Sequence, residues 1–455
     1  MHYQVSFTLS LKLVLPFSTT WTARGLSPVS CSQISTSFAG VGVTSILPIP
    51  TVLQDDSNLR NDGVGDDIHL SFYVGTKRGK VKKVTLDPKQ QIISDNDDDV
   101  IQIQCIQDKN DDKRKTPYPI FSMMSLSFHN SCHHVLTGSG NRFITVWEEN
   151  QQDSSWNSIT KLGPHTGWVK DLASNPPHLD SPIHQETQYI FSIGCNCIEI
   201  WSTIHGEGYE HVHKLMIESS VDMGSTLSSD ILCLATSQLY HHNHNSENDV
   251  QNHSHYYYLL AGGVDGRIHR WTICNNSFLD APVSYGSAHN GRLNSLLVCN
   301  DLQVVVSVGN DGLVKFWKLD CDDDCFMEKC VSSLDINQEY DKNEQEDRVD
   351  KDKTIKLTCS CILSEQQDHV VIGIGTACGK VFLTEISKRR YVEEEEDDTV
   401  MSITLLEERT TVESSSSSDS TINRGCIIHS IASQHKHLII GHSQGISIWE
   451  PSAIY

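Results

Sequence analysis

No stretch of this 455-residue chain is apolar for the roughly 18 residues that a membrane-spanning helix needs, so no membrane insertion is expected. No Cys-x-x-Cys pair occurs among its 15 cysteines. The closest pairs, Cys195/Cys197 and Cys359/Cys361, are one residue apart, and Cys321, Cys325 and Cys330 are spaced more loosely. On a strand, i and i+2 side chains point the same way, but zinc-site spacing is missing. The cysteines read as mostly buried free thiols of a reducing compartment, and neither a metal nor a cofactor is expected. No Gly-x-Ser-x-Gly elbow is present, and no glycine-rich loop opens a helix. Gly373-Ile374-Gly375 lies inside a strand pair and reads as a turn, not a nucleotide site. The acidic residues cluster in loops rather than as a paired-carboxylate site. These absences argue against an enzyme.

Acidic residues are missing altogether from positions 1–54, where Lys12 and Arg24 are the only formal charges and sixteen residues are Ser or Thr. Such composition is that of an organelle transit peptide, with the plastid as the expected organelle and residues 1–32 as the targeting segment. The alternative is a strand, because Tyr3, Val5, Phe7, Leu9, Leu11, Leu13 and Leu15 alternate with mostly polar partners. That alternative leaves a cytoplasmic or nuclear protein. The rest of the chain carries all 58 acidic residues against 35 basic ones overall, a net charge of -23. This charge repels phosphate backbones, so nucleic acid is not an expected partner. Lys77, Arg78, Lys80, Lys82 and Lys83 form one local basic run, which reads as a solvated strand edge.

What is present is a repeat. His289-Asn290-Gly291-Arg292-Leu293 leads into an apolar strand, then Val304 to Gly309, a tight turn at Asn310-Asp311-Gly312, and a strand ending at Trp317. The stretches ending at Trp147, Trp201, Trp271 and Trp449 have the same shape. Five residues beyond Gly79 and Gly379 lie Val84 and Thr384, which complete a set of seven unit ends 46 to 70 residues apart. An apolar strand precedes each unit, at Val43–Pro48, Met123–Phe128, Trp168–Ala173, Ile231–Ala235, Leu293–Val298, Ile355–Ile362 and Cys426–Ala432. Short strands with glycine-containing turns and no helical period predict an all-β fold. Seven four-stranded antiparallel sheets arranged radially make a seven-bladed β-propeller, expected over residues 33–455.

The chain resembles the WD-repeat β-propellers. The resemblance rests on His165-Thr166-Gly167-Trp168-Val169 and His289 to Leu293 at unit starts, Asp265-Gly266 and Asp311-Gly312 at turns, and the five tryptophans. It implies a buried hydrogen-bonded chain of His289, Ser307, Asp311 and Trp317 in the fifth unit. Other units keep parts of it: Thr137, Asn141 and Trp147; His165, Ser192 and Trp201 with Cys195 near the Asp position; Asp265 and Trp271; Cys378 and Thr384 in the sixth. The resemblance also implies closure by an N-terminal strand, with Gln33–Phe38 the first choice and Tyr3–Leu15 the second. It implies a non-catalytic scaffold or adaptor that binds a protein or peptide through one face of the disc. Carried onto this chain, that face comprises Lys77, Arg78, Asn141, Arg142, Thr166, Trp168, Arg267, Asn290, Arg292 and Asn310. The Trp-Asp-x-Arg motif of ubiquitin-ligase substrate receptors is missing, since Glu148, Ser202, Thr272, Lys318 and Glu450 follow the tryptophans. A hydrolase triad of His289, Ser307 and Asp311 is the remote alternative.

Polar insertions are expected at 240–255, 335–353 and 391–421. The first is His-rich and reads as a loop rather than a metal site. The last contains Ser414, Ser415, Ser416, Ser417 and Ser418 between Glu413 and Asp419, a candidate phosphorylation tract.

Overall fold

The computed structural model describes residues 42–49, 70–86, 101–106, 118–128, 133–150, 156–176, 187–204, 207–217, 230–238, 256–274, 277–278, 282–319, 330–338, 354–366, 368–390, 399–410, 426–434, 437–443 and 445–449. Strand dominates, and the one helical stretch among the described residues is 336–338. Seven antiparallel sheets follow one another along the chain, each an up-and-down meander. Blade 1 is Val43–Pro48, Leu70–Thr76, Val81–Leu86 and Ile101–Ile106. Blade 2 is Ile120–Ser127, His133–Ser139, Ile144–Glu149 and Trp156–Leu162. Blade 3 is Val169–Ser174, Thr187–Gly194, Cys197–Ile204 and Glu207–Met216. In blade 4, Ile231–Gln238, Tyr256–Gly263 and Arg267–Cys274 are edged by two short pieces, Ser277–Phe278 and Val283–Ser287. Blade 5 is Leu293–Cys299, Val304–Gly309, Leu313–Lys318 and Cys330–Asp335. Blade 6 is Leu357–Gln366, His369–Thr376, Lys380–Arg390 and Thr399–Thr410. Blade 7 has three strands among the described residues, Ile428–Gln434, His437–His442 and Gly445–Trp449.

Burial explains the sequence pattern of each strand position. Second strands such as Val304–Gly309 are buried along their whole length, because a neighbouring blade covers each face. They therefore read as continuous apolar runs. First strands are only partly buried: Ile120–Ser127 alternates buried and part-buried residues, while Leu293–Cys299 buries every third one. The hydrophobic core is divided into seven clusters, and each spans two neighbouring blades. One cluster joins Val43, Ile46 and Phe72 of blade 1 to Ala432, Ile439 and Ile448 of blade 7. The ring is therefore closed by side-chain packing between its first and last blades. Hydrogen bonds reinforce this seam. Ile46 N–H donates to Ser430 Oγ (3.1 Å), Ser71 N–H donates to Gln434 Oε1 (3.0 Å), and Gln434 Nε2 donates to Ile49 O (2.7 Å). Both expected closing strands, Gln33–Phe38 and Tyr3–Leu15, lie outside the described residues, as does the 1–32 targeting segment.

Two expectations are corrected. The insertion expected at 391–421 contains Thr399–Thr410, which is the outer strand of blade 6. Its β-branched residues Thr399, Val400, Ile403 and Thr404 favour a strand, but acidic and serine runs flank them closely. Likewise Gly373-Ile374-Gly375 is not a turn but the interior of a strand. A side chain at Gly375 would overlap Ile428 of blade 7 and Cys359, so the glycine there admits a neighbouring blade.

Polar bonds also cross between first strands near the axis. Thr44 Oγ1 and Ser45 Oγ donate to Ile120 O, Ser295 and Ser360 hydroxyls meet at 2.8 Å, and Ser433 Oγ donates to Ile362 O (2.6 Å). Asp171 of blade 3 accepts from Leu172 N–H (2.9 Å) and from Leu234 N–H of blade 4 (2.8 Å). Burial raises its carboxyl from 3.8 to about 6, although the two N–H donors pull the other way. The folded state therefore binds more protons than the unfolded chain between roughly pH 4 and 6, and this contribution to stability is lost as pH rises through that window. Asp171→Asn removes the titration. Urea melts should show the variant gaining up to about 3 kcal/mol on wild type between pH 4 and 7. Parallel stability curves would contradict this.

Candidate functional site

In blade 5 the loop before the first strand carries His289 inward, under the turn that holds Asp311. His289 Nδ1 lies 2.9 Å from Asp311 Oδ1, and its Nε2 lies 2.8 Å from Ser307 Oγ. Trp317 Nε1 donates to the same Ser307 Oγ at 2.8 Å. An indole only donates and a carboxylate only accepts, so the network assigns one direction: Trp317 to Ser307, Ser307 to His289 Nε2, His289 Nδ1–H to Asp311. Asp311 also accepts from Asn290 N–H (2.9 Å) and Leu313 N–H (3.2 Å). Burial works to raise the Asp311 carboxyl, but the His289 and backbone donors outweigh it and hold it below the usual range. His289 is 1% exposed and Ser307 fully buried. The three residues have the order of a hydrolase triad, yet the serine oxygen is enclosed and already accepts the indole N–H.

Other blades build variants of this chain with different parts. In blade 3, Trp201 Nε1 donates to Ser192 Oγ (3.1 Å), which meets His165 Nε2 at 2.8 Å. No carboxylate completes it. His165 Nδ1 instead reaches the Arg142 carbonyl of blade 2 at 3.0 Å, and the Cys195 side chain packs against Gly167 of the His165 loop. Blade 2 keeps Trp147 Nε1 on Thr137 Oγ1 (3.0 Å), while Asn141 caps its own turn through Ser139 Oγ and Phe143 N–H. Blade 4 has no hydroxyl at Ala261, and Trp271 Nε1 is buried without a partner. Blade 7 draws its imidazole from the second strand: His442 joins Cys426 Sγ (3.0 Å) and Ser447 Oγ (3.1 Å), and burial lowers it to about 4. In blade 6, Cys378 Sγ meets Thr376 Oγ1 at 3.2 Å and the Thr384 hydroxyl is buried without a partner.

A profile of the WD domain, G-beta repeat family (WD40) matches residues 282–318. This span holds His289, Ser307, Asp311 and Trp317, and the six other blades repeat its strand order around the ring. The chain is a WD-repeat β-propeller. Among curated proteins, none matches it significantly. WD-repeat propellers are typical of protein-interaction scaffolds.

Of the surface residues singled out from sequence, nine lie on the loops before first strands or on the turns joining second and third strands, and Arg267 is the first residue of a third strand. Both sets of loops emerge on one face of the propeller. Trp168 is 57% exposed and stacks on Phe121 (centroids 5.5 Å apart, 20° between planes). Thr166 is exposed, but its hydroxyl donates to Gly194 O at 2.5 Å. Asn290 and Arg292 are exposed in the His289 loop, while Asn310 is tied down, its Oδ1 accepting from Asn294 Nδ2 (2.7 Å). Arg267 is partly exposed, 4.0 Å from Asp265. Lys77 and Arg78 are exposed in the blade 1 turn, where Lys77 lies along Gly42. Arg142 is exposed and has a positive φ of 70°. The His-rich tract 240–255 and Ser414 to Ser418 lie outside the described residues.

Sequence reasoning missed two features here. One is Tyr118, 48% exposed beside Phe121 on the same face, which has no period or motif to mark it. The other is a glycine repeat. Gly75, Gly138, Gly262, Gly375 and Gly441 each lie in a second strand where a Cβ would overlap the first strand of the next blade, at Ile120, Val169, Leu293, Ile428 and Val43. The last of these contacts crosses the seam of the ring, so the glycines trace its closure. A single strand glycine gives no such hint; the series is visible only once the blades are aligned.

Proposed function

We propose that this WD-repeat propeller is a non-catalytic scaffold that binds another protein or peptide through the face carrying Trp168 and Arg292. The observation that carries this reading is a division of residue types by burial. The reactive set His289, Ser307 and Asp311 is enclosed and internally bonded. The aromatic and guanidinium groups favoured at binding hot spots are exposed together on one face. The acid-free N-terminal composition favours an adaptor working in an organelle, while Val43–Pro48 at its end serves as a blade strand.

Affinity purification tests the scaffold reading. Wild-type protein and a Trp168→Ala/Arg292→Ala double variant are compared at equal folded concentration. Partners recovered by wild type should be depleted from the variant by about tenfold or more. Identical recovery places binding elsewhere. A hydrolytic activity abolished by Ser307→Ala in a folded protein would overturn the non-catalytic reading.

A further inference from the structure

The binding face is not uniform in charge or in shape. Over blades 1 to 3 the described loops are 77–80, 118–119, 140–143, 163–168 and 195–196. They contain Lys77, Arg78, Lys80 and Arg142 and no Asp or Glu. In a chain of net charge -23 this is a local inversion. On the opposite side of the same face the charge is mixed: Asp265 and Asp311, bonded within their own turns, stand beside Arg267 and Arg292.

The same sector holds the exposed aromatic rings of the face. Tyr118 and Trp168 are 48% and 57% exposed, and Phe121 lies stacked against Trp168. They form one continuous surface with the basic turns. The Tyr118 backbone lies so close to Gly79, next to Arg78, that a Cβ at Gly79 would overlap it. Pro119, Phe121 and Tyr118 surround Gly140 in the following turn, and Gly140 N–H donates to Pro119 O at 2.9 Å. His165 N–H in the Trp168 loop donates to Arg142 O at 2.8 Å. The rings are thus fixed by backbone contacts to the turns that carry the two guanidinium groups.

We propose that this sector captures an acidic peptide segment bearing an aromatic or large aliphatic side chain. The apolar side chain would pack on the Tyr118–Phe121–Trp168 shelf, and its carboxylates would meet Arg78 and Arg142. This rests on the scaffold reading above and adds the chemistry of the partner. A nucleic acid is the less favoured occupant, because a polyphosphate backbone extending past the sector meets the repulsion of the whole acidic chain. A short peptide touches only the basic sector. Arginines also form paired hydrogen bonds with carboxylates, which adds orientation to charge.

Selection of random dodecapeptides displayed on phage, against the full-length chain, tests this. Enriched peptides should carry roughly three or more acidic residues beside an apolar one. The best of them, synthesised with a fluorophore, should lose affinity about tenfold for Trp168→Ala and about tenfold for Arg78→Glu/Arg142→Gly. Glycine at 142 keeps the positive φ, so that variant removes the charge without straining the turn. Raising the salt should weaken wild type more than the charge variant. Enrichment of neutral or basic peptides, binding indifferent to both variants, or no enrichment overturns the proposal. Stronger competition by a single-stranded 12-mer of uridine than by unlabelled peptide also overturns it. Selected peptides that ignore these variants but lose affinity for Arg292→Ala leave the scaffold reading standing and sink only this one.

Discussion

Trp317→Ala is expected to lower the unfolding free energy by about 3–5 kcal/mol. The ring is 6% exposed and packs in the cluster between blades 4 and 5, with Leu260, Leu293 and Val305. Truncation leaves a cavity there and removes the donor to Ser307 Oγ. Trp317→Phe keeps most of the packing and loses the N–H alone, so it should cost less, about 1–2 kcal/mol. Trp168→Ala deletes the same atoms from a ring that is 57% exposed and stacks on Phe121. Its cost should stay within about 1 kcal/mol, while its effect falls on binding. Urea melts of the three variants decide the matter. Equal losses from Trp317→Ala and Trp168→Ala would mean that burial does not separate structural from functional tryptophans in this propeller.

Gly266→Ala should cost more than about 3 kcal/mol, a large value for one added methyl group. Gly266 has a φ of +73°, where an L side chain is strained. Its Cβ would also overlap the backbone carbonyl oxygens of His289 and Gly291. Neither oxygen can move freely, because His289 N–H donates back to Gly266 O at 3.0 Å and the loop delivers His289 to Ser307. Blade 2 supplies the opposite experiment. Arg142, with φ of 70°, stands five residues before Trp147, as Gly266 stands five before Trp271. Arg142→Gly relieves the strained φ at the cost of chain entropy, so it should leave stability within about 1 kcal/mol of wild type. Thermal melting of both variants checks the pair. A well-tolerated Gly266→Ala would show that the turn and the next loop are not packed as described.

The pair also shows what could be read from sequence alone. The step of five from a turn glycine to a strand end located blades 1, 4, 5 and 6, because a tight turn with positive φ requires glycine or a tolerated exception. Each expected first strand overlaps the first strand of its blade, since each is a short apolar run with partly buried residues. The four polar residues of blade 5 could be singled out because they match the positions of the WD-repeat hydrogen-bonded chain, and burial of such groups favours partners for each. In blade 3 the expected His165, Ser192 and Trp201 are joined, but the end of its chain, like the whole of the chain in blade 7, was not legible. Their chains are completed by a backbone carbonyl and by a histidine from another strand, and neither leaves a residue type at the expected position. Thr399–Thr410 was hidden by the acidic and serine runs beside it. The Tyr118–Phe121–Trp168 shelf was only partly legible, because three aromatics distant in sequence meet through blade packing and not through any period.

The most direct measurement is amide hydrogen exchange on the full-length chain, with and without a saturating acidic, apolar-bearing peptide selected on it. The account predicts slowed exchange at residues 77–80, 118–121, 140–143 and 163–168, with the interior strands of blade 5 unchanged. Protection centred on the loops of blades 4 to 6, or on the opposite face, would contradict it.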